Sequence, residues 1–230
     1  MIKQIKRIMG LMAVASMLMF PMAAKAADGQ LGIYVAPKVI YGLTYMKDFK
    51  YHDMVVSDSM GSHWDNTFGG SLAVGYDFSK KLNVPVRGEL EYAAFTKSEA
   101  EGELFGGVKF KQSNNLQTLF ANVYYDINTG TKFVPYIGAG MGAGFIRTKG
   151  KADDGGSIYN IGSKTVTNFV WNIGIGLGYQ ITNNIALDLG YRFADLGKVQ
   201  ANWCNSPHDW RLETKRIYQH QFSMGARFTF

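Results

Sequence analysis

Alternation with a period of two runs through most of the chain and restricts its fold more than any other feature. From Leu31, one parity reads Leu31, Ile33, Val35, Val39, Tyr41, Leu43 and Tyr45. Next come Leu72, Val74, Tyr76 and Phe78, then Val84, Val86, Leu90 and Tyr92, then Leu119, Ala121, Val123 and Tyr125. Four more sets follow: Ile137 to Phe145, Phe169 to Tyr179, Ile185 to Phe193, and Phe222 to Phe230. This is the pattern of half-buried strands. It predicts eight strands, and no stretch shows helical periodicity of comparable strength.

The opposite parity is polar: Arg87, Glu89, Glu91; Asn122, Tyr124, Asp126; Asp188, Arg192; Gln219, Gln221, Ser223, Arg227. A soluble sandwich with its apolar face inward and a membrane barrel with its apolar face outward give the same alternation. Three features favour the barrel. Aromatics gather near the ends of the apolar parity, as interfacial girdles require. Connections alternate between short ones (Ser79 to Asn83, around Asn128 to Thr131, Thr182 to Asn184) and long ones (Lys47–Asn66, Lys97–Asn115, Arg147–Val166, Asp195–Thr214), the asymmetry of outer-membrane barrels. The third is the N-terminus. Lys3, Lys6 and Arg7 precede the apolar run Ile8 to Phe20 and the small-residue site Ala24-Lys25-Ala26, which reads as a secretory signal cleaved after Ala26.

Residues 1–26 are therefore expected to be a signal peptide and residues 27–230 the barrel. The formal charge of +6 is largely the leader's: without its four basic residues, 20 of the 24 remain against 18 acidic ones. That small excess removes the electrostatic case for a nucleic-acid partner. Outside the N-terminus no apolar run approaches ~18 residues, which argues against helical spans. With 14% aromatic residues, 27 glycines and 18% charged residues, the chain is unlike a disordered one.

The run Gly138 to Gly144 lacks glycine at 143 and a following helix, so it is no dinucleotide loop. Gly138, Gly140, Gly142, Gly144, Gly174, Gly176 and Gly178 instead share the inward parity, where glycine leaves room for long side chains. The expected long side chains are the inward charges Arg87, Glu89, Glu91, Asp188, Arg192 and Arg227, paired in a polar interior network. A packed plug is favoured over an ion-lined pore, because eight strands enclose only enough space for side chains. His52 and His63 share a segment with Asp53, Asp58 and Asp65, and His208 precedes Asp209, but loop composition alone makes neither a metal site nor a triad. His220 and Ser223 resemble the pair of lipid A deacylase barrels, yet their odd spacing sends them to opposite faces. Cys204, the single cysteine, reads as incidental and rules out a disulfide framework. Met60, Trp64, Phe105, Ile158, Trp203 and Trp210 read as contact or packing residues of the long connections. No catalytic residue, metal or cofactor is expected.

Pro135 to Gly142, Trp171 through Gly178-Tyr179-Gln180-Ile181-Thr182-Asn183-Asn184, and Leu187-Asp188-Leu189-Gly190-Tyr191-Arg192-Phe193 resemble the opacity-type outer-membrane proteins and surface antigens of Gram-negative bacteria. The last strand, with Phe228 and the terminal Phe230, resembles the assembly signal of outer-membrane barrels. The resemblance covers Leu31 to Phe230. It implies an all-β fold, an eight-stranded antiparallel transmembrane β-barrel similar to OmpA/OmpX-type barrels, in the outer membrane. It also implies a non-catalytic adhesin, surface antigen or envelope-stabilising role, with a small porin as the alternative and a lipid-modifying hydrolase as a distant one. The implied partners are outer-membrane lipids and lipopolysaccharide, the insertion machinery, and host or extracellular ligands met through the long connections.

Overall fold

The computed structural model describes residues 31–52, 57–59, 62–104, 108–153, 158–205 and 208–230. The expected signal peptide, with its cleavage site, lies outside them. The chain runs β1 (Ile33–His52), β2 (Ser57–Ser59), β3 (His63–Asp77), α1 (Ser79–Leu82), β4 (Val86–Phe95), β5 (Ser98–Leu104) and β6 (Val108–Asp126). It continues through β7 (Phe133–Asp153), β8 (Ile158–Gln180), β9 (Ile185–Asp195), β10 (Val199–Asn205) and β11 (His208–Thr229). All eleven belong to one antiparallel sheet, and β11 pairs back onto β1. β2, β5 and β10 pair with β1, β6 and β11 as continuations of β3, β4 and β9. The wall therefore has eight lines, and closure pairs each of them on both sides through the spanning part, as a membrane sheet requires.

Register fixes the size. Stepping between paired residues from Tyr34 leads through Gly75, Glu89, Asn122, Gly140, Asn172, Ala194 and Gln219 to Thr44, ten residues along β1 from the start. At ~3.3 Å per residue and ~4.8 Å between strands, that stagger corresponds to a tilt of about 41° and a radius of about 8 Å. Such an interior has room for side chains and little else.

The ambiguity of the alternation is resolved by exposure. Met224, Met141, Ile175 and Val123 are 64, 61, 59 and 58% exposed, whereas Glu91, Arg87, Glu89 and Asp188 are 1, 3, 6 and 7% exposed. Apolar groups outside and charges inside make sense only if lipid surrounds the barrel. On β11, Tyr218 and Phe228 stand ten residues apart on the outward face. With the tilt above, they are separated by about 25 Å, the height of an outer-membrane apolar band.

The expected long connections are corrected in part. Most of Lys47–Asn66, Lys97–Asn115, Arg147–Val166 and Asp195–Thr214 is strand, and Trp64 belongs to the wall of β3 rather than to a loop. Beyond the membrane neither face needs to be apolar, so alternation fades while backbone pairing continues. The short connection Ser79 to Asn83 is also more ordered than a turn. It forms the single helical turn α1, closed by Asn83 in the left-handed region at φ 56°, which asparagine tolerates well.

Candidate functional site

Among the described residues the lumen holds most of the buried charges, each brought there by parity, while buried Asp195 sits on the outward parity beside Arg216. β4 presents Arg87, Glu89 and Glu91 at every second position, β9 presents Asp188 and Arg192, and β11 presents Gln219, Gln221 and Arg227. Near the short-turn end, Arg87 makes a two-pronged pair with Asp126 of β6 at 2.7 and 2.8 Å. Its guanidinium lies 5.0, 5.0 and 6.0 Å from the rings of Tyr124, Tyr136 and Tyr34. Arg227 stands 3.6 Å from Asp188.

One level further in, Lys38 of β1 donates to Glu89 at 2.7 Å and to Glu91 at 2.8 Å. Arg192 reaches the other oxygen of Glu91 at 2.6 Å and also donates to the Gln221 side chain. Tyr34 and Tyr124 donate to Glu89, each at 3.2 Å. The six residues expected to form an interior network thus occupy one lumen, in several linked groups. Lys38 and Asp126 are the partners that sequence reasoning left out of it. A buried carboxylate is tolerable only when so paired.

The inward glycines make room, though more for tyrosine rings than for charges. A Cβ on Gly75 would lie 2.2 Å from Tyr34 Cζ, one on Gly138 2.3 Å from Tyr124 Cδ1, and one on Gly176 2.2 Å from Tyr136 Cζ. Gly174 faces Arg192, and Gly178 faces Asp188 and Arg227. Lys38, Glu91, Tyr124, Asn172, Arg192 and Ser223 border a polar cavity of about 30 Å³, room for about two waters.

Towards the long-hairpin end the charges give way to apolar clusters beside a neutral polar group, in which Gln219 donates to Thr44 and Thr67 at 3.0 Å each. Phe120, Ile146, Val170, Ala194, Leu196 and Ile217 form a buried cluster. Ile40, Ala93 and Phe95 form another, and Leu116 packs against both. Side chains from opposite walls therefore meet across the bore above the charges.

His220 faces outward, its Nδ1 2.9 Å from the Tyr191 hydroxyl, while inward Ser223 donates to the Gly190 carbonyl at 3.4 Å. The two share no site. Asp65 accepts from the Asn66 amide at 2.8 Å. The side chains of His52, Asp53, Asp58, Met60, His63, Phe105, Ile158, Trp203, Cys204, His208, Asp209 and Trp210 lie outside the described residues. Among the described residues, no cluster of three or more His, Cys, Asp or Glu is placed to hold a metal ion.

A closed antiparallel wall, apolar outside and ion-paired within, defines a transmembrane barrel of the outer-membrane class. The family model described as outer membrane protein beta-barrel domain matches residues 12–230, and the chain belongs to that family. The protein resides in the outer membrane. It is similar to outer membrane protein PagN of Salmonella typhimurium, with 30% identity over 135 residues. That match takes in 53% of this chain and 56% of the relative, so the chain spans little more than half of it. Among solved structures it resembles a major outer membrane protein of Thermus thermophilus, with TM-score 0.54 and 16% identity over 85% of this chain and 99% of that one. It also resembles Neisserial surface protein A, with TM-score 0.50 and 23% identity over 86% of this chain and 97% of that one. At such identities the likeness speaks to the fold.

Proposed function

We propose that the protein is a non-catalytic surface barrel whose filled body anchors outer hairpins that contact other surfaces. The observation that carries this reading is the length of the hairpins. β7 and β8 have 21 and 23 residues, about twice the ~9–11 a tilted strand needs to cross the bilayer. From Arg147 to Asp153 the ladder rises about 15 Å above the girdle, using the same rise and tilt. A paired ribbon of that height stands well clear of the membrane, which a contact surface needs and a minimal anchor does not.

The filled lumen favours this reading over a small porin. The separation of His220 from Ser223 speaks against a deacylase-like hydrolase. Within the same proposal, residues 1–26 direct export and are cleaved after Ala26, and Phe228 and Phe230 serve insertion. The test compares cells displaying the intact protein with cells in which residues 149–163 are replaced by a short turn. The shortened barrel should reach the surface and lose binding to host cells or matrix. Equal binding by both would sink the proposal.

A further inference from the structure

We infer that the outward face of β11 around His220 is a binding site for lipopolysaccharide, in which the imidazole hydrogen-bonds an acyl carbonyl of the lipid. A polar ring stands here on a face where a polar ring is costly. His220 has lipid-facing parity, between Tyr218 and Phe222, and pairs across the wall with Leu43 and Phe193. One nitrogen is engaged: Nδ1 is 2.9 Å from the Tyr191 hydroxyl. For Nε2 no hydrogen-bonding partner occurs among the described residues. A polar nitrogen left bare in hydrocarbon is unfavourable, so its partner must come from the surrounding lipid.

The site is built rather than incidental. Trp64 and Tyr191 lie beside the imidazole and nearly parallel to it, with ring centroids 6.1 Å away and interplanar angles of 22° and 24°. Phe193 meets it edge-on at 5.4 Å. Tyr45 stands 4.9 Å beyond Trp64, and Tyr218 5.5 Å beyond Phe193. These rings hold the imidazole upright on the barrel surface and form a rigid aromatic wall on four of its lines. The opposite side of the barrel carries Ala121, Val123, Ala139, Met141 and Ala143 at outward positions, with no hydrogen-bonding side chain among them.

Depth selects the ligand. The long hairpins mark the outside, so this face lies in the outer leaflet. The column Arg216, Tyr218, His220, Phe222, Met224 descends from charge to hydrocarbon in steps of two residues, about 5 Å each at the tilt found above. Tyr218 and Trp64 mark the girdle, where headgroup meets acyl chain. His220 lies one step below it, at the level of ester and amide carbonyls. Arg216 lies one step above, with its side chain 54% exposed and its Asp195 partner at 3.5 Å, open to a phosphate. Lipopolysaccharide supplies that order: phosphate on sugar, then acyl carbonyls, then chains.

The test uses the full barrel in vesicles of phosphatidylcholine alone, with added rough lipopolysaccharide, or with added phosphatidylglycerol. Wild type should retain lipopolysaccharide. His220→Phe should bind it roughly fivefold to tenfold more weakly, the factor expected for one hydrogen bond, with unchanged heat resistance in phosphatidylcholine. His220→Gln, which keeps a donor, should recover most of the binding. Equal affinity of His220→Phe and wild type would overturn the inference, as would equally tight binding of phosphatidylglycerol. Should His220→Phe not fold, the nitrogen resonances of labelled His220 in wild type decide: a shift on adding lipopolysaccharide supports the site, and no shift refutes it.

Discussion

Arg192 illustrates how much depends on single residues in the lumen. Its guanidinium holds Glu91 from β9 while Lys38 holds it from β1. Arg192→Ala leaves the carboxylate one buried partner instead of two, and the expected loss is about 3 kcal/mol, near the low end for a broken buried pair. Lys81→Ala, on the exposed turn α1, should stay within ~0.5 kcal/mol. Urea titration of the folded barrel in vesicles measures both, and equal midpoints would show that the network stabilises nothing. A second comparison uses close packing of the wall. A Cβ on Gly142 would meet the Leu119 carbonyl oxygen at 1.9 Å, backbone that cannot swing aside, whereas the nearest atom to one on Gly88 is 3.7 Å away. Gly142→Ala should therefore cost about 1–3 kcal/mol or more, and Gly88→Ala little, in the same titration. Parity alone makes Arg87, Glu89, Glu91, Asp188, Arg192 and Arg227 legible as inward. Lys38 escapes notice because its inward neighbours Tyr34, Ala36 and Ile40 read as apolar, and nothing local points to Glu89 and Glu91, some fifty residues away. The tyrosines escape for a related reason: a ring that fills the groove over a glycine belongs to a neighbouring strand, and spacing along one strand cannot reveal it.

At the scale of elements, the last strand both closes the wall and ends it. Phe230 donates its amide to the Ile33 carbonyl at 2.8 Å and accepts from the amides of Leu31 and Gly32 at 3.1 Å each. Deleting it, or replacing it with a charged residue, should impair assembly while leaving export intact, because in the proposed reading export is directed by residues 1–26 and not by the last strand. A charge near the interface costs only ~0–1 kcal/mol, so a severe defect would reflect lost closure contacts and lost recognition by the insertion machinery. Fractionation with protease shaving of whole cells separates the steps. Cleaved precursor held in the periplasm is the expected result, and surface levels equal to wild type would remove Phe230 from assembly. The strands themselves are legible wherever lipid imposes a one-sided pattern, and Phe169 to Tyr179 is the clearest case. Their outer ends are not. Residues such as Arg147, Lys149 and Lys151 continue a ladder in water, where pairing is backbone chemistry and leaves little trace in side-chain order. The break between β4 and β5 is likewise invisible, since it is a shift of one residue in the pairing with β6.

The molecule as a whole is a wall around two different fillings, and their order along the axis decides whether it conducts. The polar half, from Arg87 to Arg192, could admit water. In the other half Phe120, Leu116, Ile146, Leu196 and Ile217 meet beside the buried Thr44 and Thr67, and a constriction so largely apolar should block ions by remaining dry even where atoms leave a narrow gap. Phe120 lies 5.2 Å from the Arg192 guanidinium, at the boundary between the two. The seal is therefore apolar, and removing charge alone should not break it: Arg192→Ala should remain silent in planar bilayers. Leu116→Ser combined with Phe120→Ser removes the groups that bridge the bore and places hydroxyls where water can follow. That variant should conduct small ions, while keeping the mobility shift on heating that a closed barrel shows. It should also be less stable, since truncating one buried phenylalanine costs about 3–5 kcal/mol. Steady conductance by wild type would mean that the side chains rearrange to open a path, and the porin reading would then displace the filled scaffold. Conductance in Arg192→Ala and none in the double serine variant would move the seal down to the ion pairs.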